Sequence, residues 1–189
     1  MHLSDVMLNL GMALSLLFLA TPFKAQTSSS PEYHAKAHFL SKFPIFIEWP
    51  KNALPTGNAP FLICIFGDFP FGTSLAEKTR GIAIHEKPIE IRWIHRQPEL
   101  KSCQILFVSR SEQKRYSEVL EAVRGQGVLT VGETPEFLDA GGIVSFTMQQ
   151  EMLQFDVNLY EASKARLKIS SQMLSLARRI VNRAGPAKT

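Results

Sequence analysis

The two cysteines have the clearest chemical potential in this sequence. Cys64 and Cys103 are the only cysteines among 189 residues, and they lie in apolar runs at residues 62–66 and 103–107 that are typical of β-strands. If those strands are neighbours, with Cα atoms about 5.5 Å apart, a disulfide can join them. An oxidising compartment favours that bridge, whereas two reduced, buried thiols would be commoner in the cytosol. The absence of a Cys-x-x-Cys motif argues against redox catalysis.

Other residues that could do chemistry lack the surroundings that the chemistry needs. His34 and His38 lie four apart on a predicted helix and could share a metal ion, but no His-Glu-x-x-His motif is present. The loop at residues 67–72 joins a strand to a helix but lacks the Gly-x-Gly-x-x-Gly spacing and the Lys-Ser/Thr pair of a phosphate loop. Ser170 and Ser171 are not in a Gly-x-Ser-x-Gly elbow. We therefore predict no enzymatic activity, no cofactor and no metal.

The length and composition predict one exported domain. With 45% hydrophobic and 20% charged residues, the chain is long enough for a single core. Residues 6–20 form an apolar run shorter than the roughly 20 residues of a spanning helix, which favours a signal peptide at 1–25, with an uncleaved anchor or an ordinary helix as alternatives. A disordered leader at 26–31, a folded domain at 32–184 and a tail at 185–189 complete the predicted organisation.

Positive charge is concentrated near the end of the chain. Seven cations follow Tyr160, against Glu161 alone: Lys164, Arg166, Lys168, Arg178, Arg179, Arg183 and Lys188. Such a segment could bind nucleic acid, anionic lipid or an acidic protein, or form a solvated face that complements a helix dipole. Export argues against nucleic acid as a partner.

Strand and helix patterns alternate through the middle of the chain. Strand patterns occur at residues 61–66, 89–93, 105–108 and 128–131 and in a hairpin at 143–158. Helices are predicted at residues 32–48, interrupted by Pro44, at 74–79, 111–123 and 135–138, and from Asn158 to about 180. The predicted fold is therefore a single α/β domain, with a mixed, mostly parallel sheet flanked by helices, a C-terminal antiparallel hairpin and a long C-terminal helix.

Two surfaces are candidates for binding. Along the predicted C-terminal helix, Leu167, Leu174 and Val181 recur every seven residues beside the core-facing positions, and with Trp49 they suggest a partner or dimer interface. Simple burial under a loop explains this stripe equally well. A small anionic ligand could instead bind near the cations Lys87, Arg92 and Arg166.

Several motifs, in order, resemble those of one family. The segments are residues 36–40, 46–50, 61–72, 103–109, 129–132 and 141–177, the last with Gly141-Gly142 and the Ser170-Ser171 pair. Together they resemble the YfiR/HmsC family of periplasmic regulators over about residues 34–180. The resemblance implies a Cys64–Cys103 bridge. It also implies a periplasmic protein that binds and represses an inner-membrane diguanylate cyclase, and so controls cyclic-di-GMP and biofilm formation.

The sequence thus favours a regulator that recognises the periplasmic part of a diguanylate cyclase, and a homodimer is expected. The alternative is a periplasmic sensor of a small ligand.

Overall fold

The computed structural model describes residues 30–182, and within them the predicted fold class is confirmed. The predicted signal peptide at 1–25, nearly all of the leader and the tail at 185–189 lie outside the described residues. The helices are α1 (Pro31–Lys42), α2 (Ser74–Thr79), α3 (Tyr116–Val123), α4 (Pro135–Asp139), α5 (Leu159–Lys164) and α6 (Ser171–Leu176). Short 3₁₀ segments lie at Phe43–Phe46, Lys51–Ala53, Gln97–Ser102 and Arg110–Arg115.

The strands form one large sheet and one small one. The strands are β1 (Ile47–Glu48), β2 (Phe61–Phe66), β3 (Ala83–Ile84), β4 (Lys87–Ile94), β5 (Ile105–Val108), β6 (Leu129–Gly132), β7 (Val144–Gln149), β8 (Met152–Asn158), β9 (Lys168–Ile169) and β10 (Arg179–Val181). The large sheet has the order β10-β8-β7-β6-β5-β2-β4-β3, and β1 pairs with β9 separately. Strands β4, β2, β5, β6 and β7 run parallel, whereas β7 and β8 form the predicted antiparallel hairpin.

Strand β2 separates two apolar cores because its side chains alternate between the faces of the sheet. All six of its residues are buried. Phe61, Ile63 and Ile65 join the core beneath α1 and α2, whereas Leu62, Cys64 and Phe66 join the core beneath α3. A strand buried on both faces reads as a continuous apolar run, which explains why the sequence identifies β2 and β5 so clearly.

The first predicted helix ends earlier than residue 48. Helix α1 stops at Lys42, and residues 43–46 continue as a 3₁₀ turn that leads into β1. Pro44 explains this end, because proline has no N–H to donate and its ring clashes with the carbonyl four residues before it.

The prediction of a long C-terminal helix was wrong: two short helices flank β9. Asn158 caps helix α5, as predicted: its side chain accepts a hydrogen bond from the Glu161 amide at 3.3 Å. The helix ends because Arg166 takes the left-handed conformation (φ 59°), and the Leu167 amide then donates to the Ala162 carbonyl at 2.9 Å. Ser170 restarts the helix by accepting from the Met173 amide.

Candidate functional site

Within residues 30–182, six large apolar side chains are exposed to solvent, and three of them lie on the 3₁₀ turn after α1 and on the last two elements, α6 and β10. These three are Ile45 (59% exposed), Leu176 (63%) and Ile180 (47%), and we call them the C-terminal surface. Ile45 lies in the 3₁₀ turn after α1, Leu176 ends α6, and Ile180 lies on β10. Large apolar side chains that remain exposed in the same region of a protein are typical of interaction sites.

Backbone and charge contacts hold the elements of the C-terminal surface in place. The Ser170 amide donates to the Phe46 carbonyl at 2.9 Å, which fixes the start of α6 against the turn that bears Ile45. After α6, Arg178 donates two hydrogen bonds to the buried carboxylate of Asp156, at 2.8 and 2.6 Å, and Arg179 adds a third at 3.1 Å. A planar guanidinium suits this bidentate contact, so the pair fixes the approach to β10 at the edge of the sheet.

The predicted interface residues are mostly covered. Trp49 and Leu167 are buried in the core, and the Trp49 indole donates to the Gln104 carbonyl at 3.3 Å. Leu174 packs against the same core, and Val181 is half-buried. The seven-residue stripe does not exist as one face because α5 and α6 are separate helices. In this part of the structure the exposed apolar side chains are instead Leu176 and Ile180, together with Ile45 on the turn after α1.

The predicted anion-binding cations do not form a cluster. Lys87 and Arg92 lie on β4, where Lys87 contacts the Gly57 carbonyl and Arg92 pairs with Glu90. Arg166 follows α5 and donates to the Gly125 carbonyl at 3.3 Å, beyond the C-terminal end of α3. Gly125 shortly precedes β6 in the chain, and the strands β2 and β5 lie between β6 and β4 in the sheet. Arg166 therefore lies near a different part of the sheet from Lys87 and Arg92.

A buried charge cluster lies at the carboxyl ends of the parallel strands. Glu133 follows β6 directly and is buried, as is Lys36 on α1. The Glu133 carboxylate accepts hydrogen bonds from the Lys36 ammonium at 2.5 Å, the Tyr33 hydroxyl at 2.9 Å and the Arg110 amide at 2.7 Å. Lys36 also pairs with Glu32 at 2.5 Å and lies over the Tyr33 ring. The cluster therefore fastens the first turns of α1 to the sheet.

This cluster was not predicted from the sequence, although the sequence holds two signals for it. Glu133 directly follows one buried strand and Arg110 comes two residues after another, and the carboxyl ends of parallel strands meet at one edge of a sheet. Glu32 and Lys36 also have the four-residue spacing of a helical ion pair. What the sequence does not show is that α1 crosses this edge, since Lys36 and Glu133 are 97 residues apart.

The cluster predicts a pH effect on stability. Burial is the main cause that raises the pKa of Tyr33 above its ordinary value, and the nearby charge of Glu133 is the second. The unfolded chain releases the phenolic proton of Tyr33 near pH 10, whereas the folded chain retains it. The contribution of Tyr33 to the free energy of unfolding is therefore fully present below about pH 10 and is lost as the pH rises further. We expect the free energy of unfolding to fall more steeply above pH 10 in the wild type than in Tyr33→Phe. The free energy of unfolding is measured by urea denaturation at several pH values. An equal fall of this free energy above pH 10 in the two proteins would contradict the expectation.

The predicted disulfide is present. Cys64 and Cys103 are joined, with Cα atoms 5.9 Å apart, and no cysteine of the chain is free. Both residues are buried in the core beneath α3, away from solvent. Within residues 30–182, no three His, Cys, Asp or Glu side chains gather as metal ligands would. In the same range, no helix combines the length and the apolar character needed to cross a bilayer.

Comparisons with known proteins identify a family and a shared fold. A family model described as YfiR/HmsC-like matches residues 33–178. No curated protein matches the chain. An ABC domain from Streptococcus pneumonia, solved in complex with L-Trp, is 10% identical with a TM-score of 0.50, over 79% of this chain and 60% of that one. A conserved domain protein from Vibrio cholerae is also 10% identical, with a TM-score of 0.49, over 81% and 61%. The chain thus spans about three fifths of these structures, and the first shows a shared fold alone.

Proposed function

The chain belongs to the YfiR/HmsC-like family, whose members are periplasmic regulators, and we propose that it binds the periplasmic part of an inner-membrane diguanylate cyclase and represses it. Export by the segment at residues 1–25 would bring the domain to the compartment where that part of the cyclase lies. Repression would lower cyclic-di-GMP and biofilm formation.

The observation that supports this proposal best is the C-terminal surface. Ile45, Leu176 and Ile180 expose apolar area that the fold does not use, and the contacts of Ser170 and Asp156 hold that area rigid. A rigid apolar surface binds a protein partner at a low entropic cost, because few side chains must be ordered on association. The neighbouring Arg178 and Arg179 add positive charge at its rim, which would favour an acidic partner surface.

The proposed mechanism is a shift between two states of the cyclase. Binding can change activity on the far side of a membrane only if the regulator has different affinities for the active and inactive states of its partner. We propose that the C-terminal surface binds the inactive state more tightly. A second copy of the chain is a competing occupant of the same surface, because exposed apolar area can also form a homodimer.

A matched pair of variants tests the proposed surface. We expect Leu176→Glu to remain folded, because the side chain is 63% exposed, and to lose repression, because the interface would then bury an unpaired charge. Met152→Glu is the control, since Met152 is 60% exposed but lies at the start of β8, next to the hairpin turn. The measurements are circular dichroism, light scattering and cellular cyclic-di-GMP. A folded Leu176→Glu protein with undiminished repression would rule out this surface.

A further inference from the structure

A cavity of about 340 Å³ opens beside the buried charge cluster. Its walls include Glu32 and Lys36 from α1, Arg110 after β5, Glu133 after β6, and Phe146 and Met148 from β7. In α/β folds, the space outside the carboxyl ends of parallel strands is the usual place for a small ligand, and cavities of about 300–1,000 Å³ accommodate one.

The innermost charges of the cavity are already matched. Lys36 lies between the carboxylates of Glu32 and Glu133, at 2.5 Å from each, and Glu133 also accepts from Tyr33 and the Arg110 amide. A ligand therefore does not have to supply a charge there. The inner wall is instead a fixed polar surface with low conformational freedom, which is the kind of preorganised wall that specific binding sites have.

The rim of the cavity, in contrast, has one positively and one negatively charged group that could each bind a further partner. The guanidinium of Arg110 is exposed and makes no hydrogen bond or salt bridge with any residue from 30 to 182, and Glu136 is near enough only for a longer-range charge interaction. Glu32 uses one carboxylate oxygen for Lys36, and no residue in that range donates to the other. One unpaired cation and one half-used anion thus border the same space.

We propose that this cavity binds a small zwitterion, a molecule that carries both a carboxylate and an ammonium group, as α-amino acids do. The carboxylate of the ligand would accept hydrogen bonds from the guanidinium of Arg110, which offers two parallel donors to such a group. The ammonium group of the ligand would donate a hydrogen bond to the second carboxylate oxygen of Glu32. A simple anion is disfavoured because Glu32 and Glu133 lie in the same cavity, and a simple cation is disfavoured because Arg110 and Lys36 do.

The remaining wall suits an apolar side chain on the ligand. Phe146 is buried at the base of this wall, and Met148 is 44% exposed on the same strand. Methionine adapts its shape to varied apolar groups, so this side of the cavity would tolerate several side chains. The charges of the rim would therefore select the class of ligand, and Met148 would contribute less to selectivity.

The test begins with thermal unfolding of the mature protein in the presence of each of the twenty proteinogenic L-amino acids at 10 mM. A ligand that binds only the folded state raises the midpoint, so at least one amino acid should do so. The most effective one is then compared with two analogues that share its side chain: the amine that lacks the carboxylate and the acid that lacks the amino group. We expect both analogues to be markedly weaker. No shift with any amino acid, or equal shifts with an analogue, would overturn the proposal.

A matched pair of arginine variants locates the site. Arg110→Gln removes the guanidinium but keeps the main-chain amide that donates to Glu133, so the fold should be intact. We expect its affinity, measured by calorimetry, to fall by at least about tenfold, the loss that a charge-assisted hydrogen bond implies. Arg96→Gln removes an exposed guanidinium that pairs with Glu99, and it should bind like the wild type. Equal binding by all three proteins would overturn the assignment.

These experiments use the purified protein without any cyclase. Failure of zwitterion binding would therefore leave the proposed repression untouched, and failure of repression would leave this site untouched.

Discussion

Glu133→Ala should lower the free energy of unfolding by about 3–5 kcal/mol, the usual cost of removing one partner from a buried ion pair. The substitution leaves Lys36 buried with Glu32 as its remaining anion, and it also removes the acceptor for the Tyr33 hydroxyl and the Arg110 amide. Urea denaturation followed by circular dichroism measures the effect. Because the cluster fastens α1 to the sheet, we also expect α1 amides to exchange faster with solvent.

Two controls separate this effect from that of a generic charge deletion. Glu48→Ala removes a carboxylate whose partner, Lys168, is exposed, and it should change stability by less than about 1 kcal/mol. The double variant Lys36→Met/Glu133→Leu removes both charges and should be less destabilised than Glu133→Ala, because no unpaired charge remains buried. A loss below about 1 kcal/mol in Glu133→Ala would show that the pair does not stabilise the fold.

Removing the disulfide should have an effect of similar size. Cys64 and Cys103 close a loop with a sequence separation of 39 residues. In the chain-entropy description such a loop stabilises the folded state by about 4 kcal/mol, because it restricts the unfolded chain. The variant Cys64→Ala/Cys103→Ala should lose about that amount. Small cavities left by the two sulfurs in the core beneath α3 would add to the loss.

Reduction provides the matching control. Dithiothreitol should lower the stability of the wild type to near that of the double alanine variant and should leave the variant unchanged. Unreduced wild-type protein, denatured in guanidinium, should show no titratable thiol. Two thiols per chain would contradict the bridge.

The sequence predicts an element well where local pattern and tertiary position agree. Strand β5 is a continuous apolar run because both of its faces are covered, and Asn158 caps α5 because its side chain reaches an amide within the same turn. The strand pattern depends on burial alone, and the helix cap depends only on residues that are neighbours in the chain. The paired cysteines were accessible for a related reason: Cys64 lies on β2, Cys103 comes two residues before β5, and β2 and β5 are neighbours in the sheet.

The C-terminal region shows where such reasoning fails. Apolar residues from 162 to 180 follow a helical period, yet Arg166 ends α5 and residues 168–169 pair with β1 instead. The observed arrangement still buries Ala162, Ala165 and Met173, although it leaves Leu176 and Ile180 exposed, so the apolar period alone does not distinguish one helix from two. Pairing with a strand more than 100 residues away decides between them, and no local signal reports it.

The charge cluster was inaccessible for a different reason. Its members come from α1 and from the ends of β5 and β6, and their local signals, two strand ends and one four-residue spacing, do not show that the helix meets the strands. Only the order of strands in the sheet, together with the path of α1 over its edge, brings Lys36 to Glu133. The cavity and its free Arg110 guanidinium depend on the same placement.

Direct association with the cyclase tests the central claim. The mature protein is titrated into the purified periplasmic part of the diguanylate cyclase in a calorimeter, with Leu176→Glu and Met152→Glu measured in parallel. We expect saturable binding by the wild type and by Met152→Glu, and loss of binding by Leu176→Glu, because of the two substituted residues only Leu176 belongs to the C-terminal surface. Absence of binding by the folded wild type, or equal binding by all three proteins, would contradict this claim.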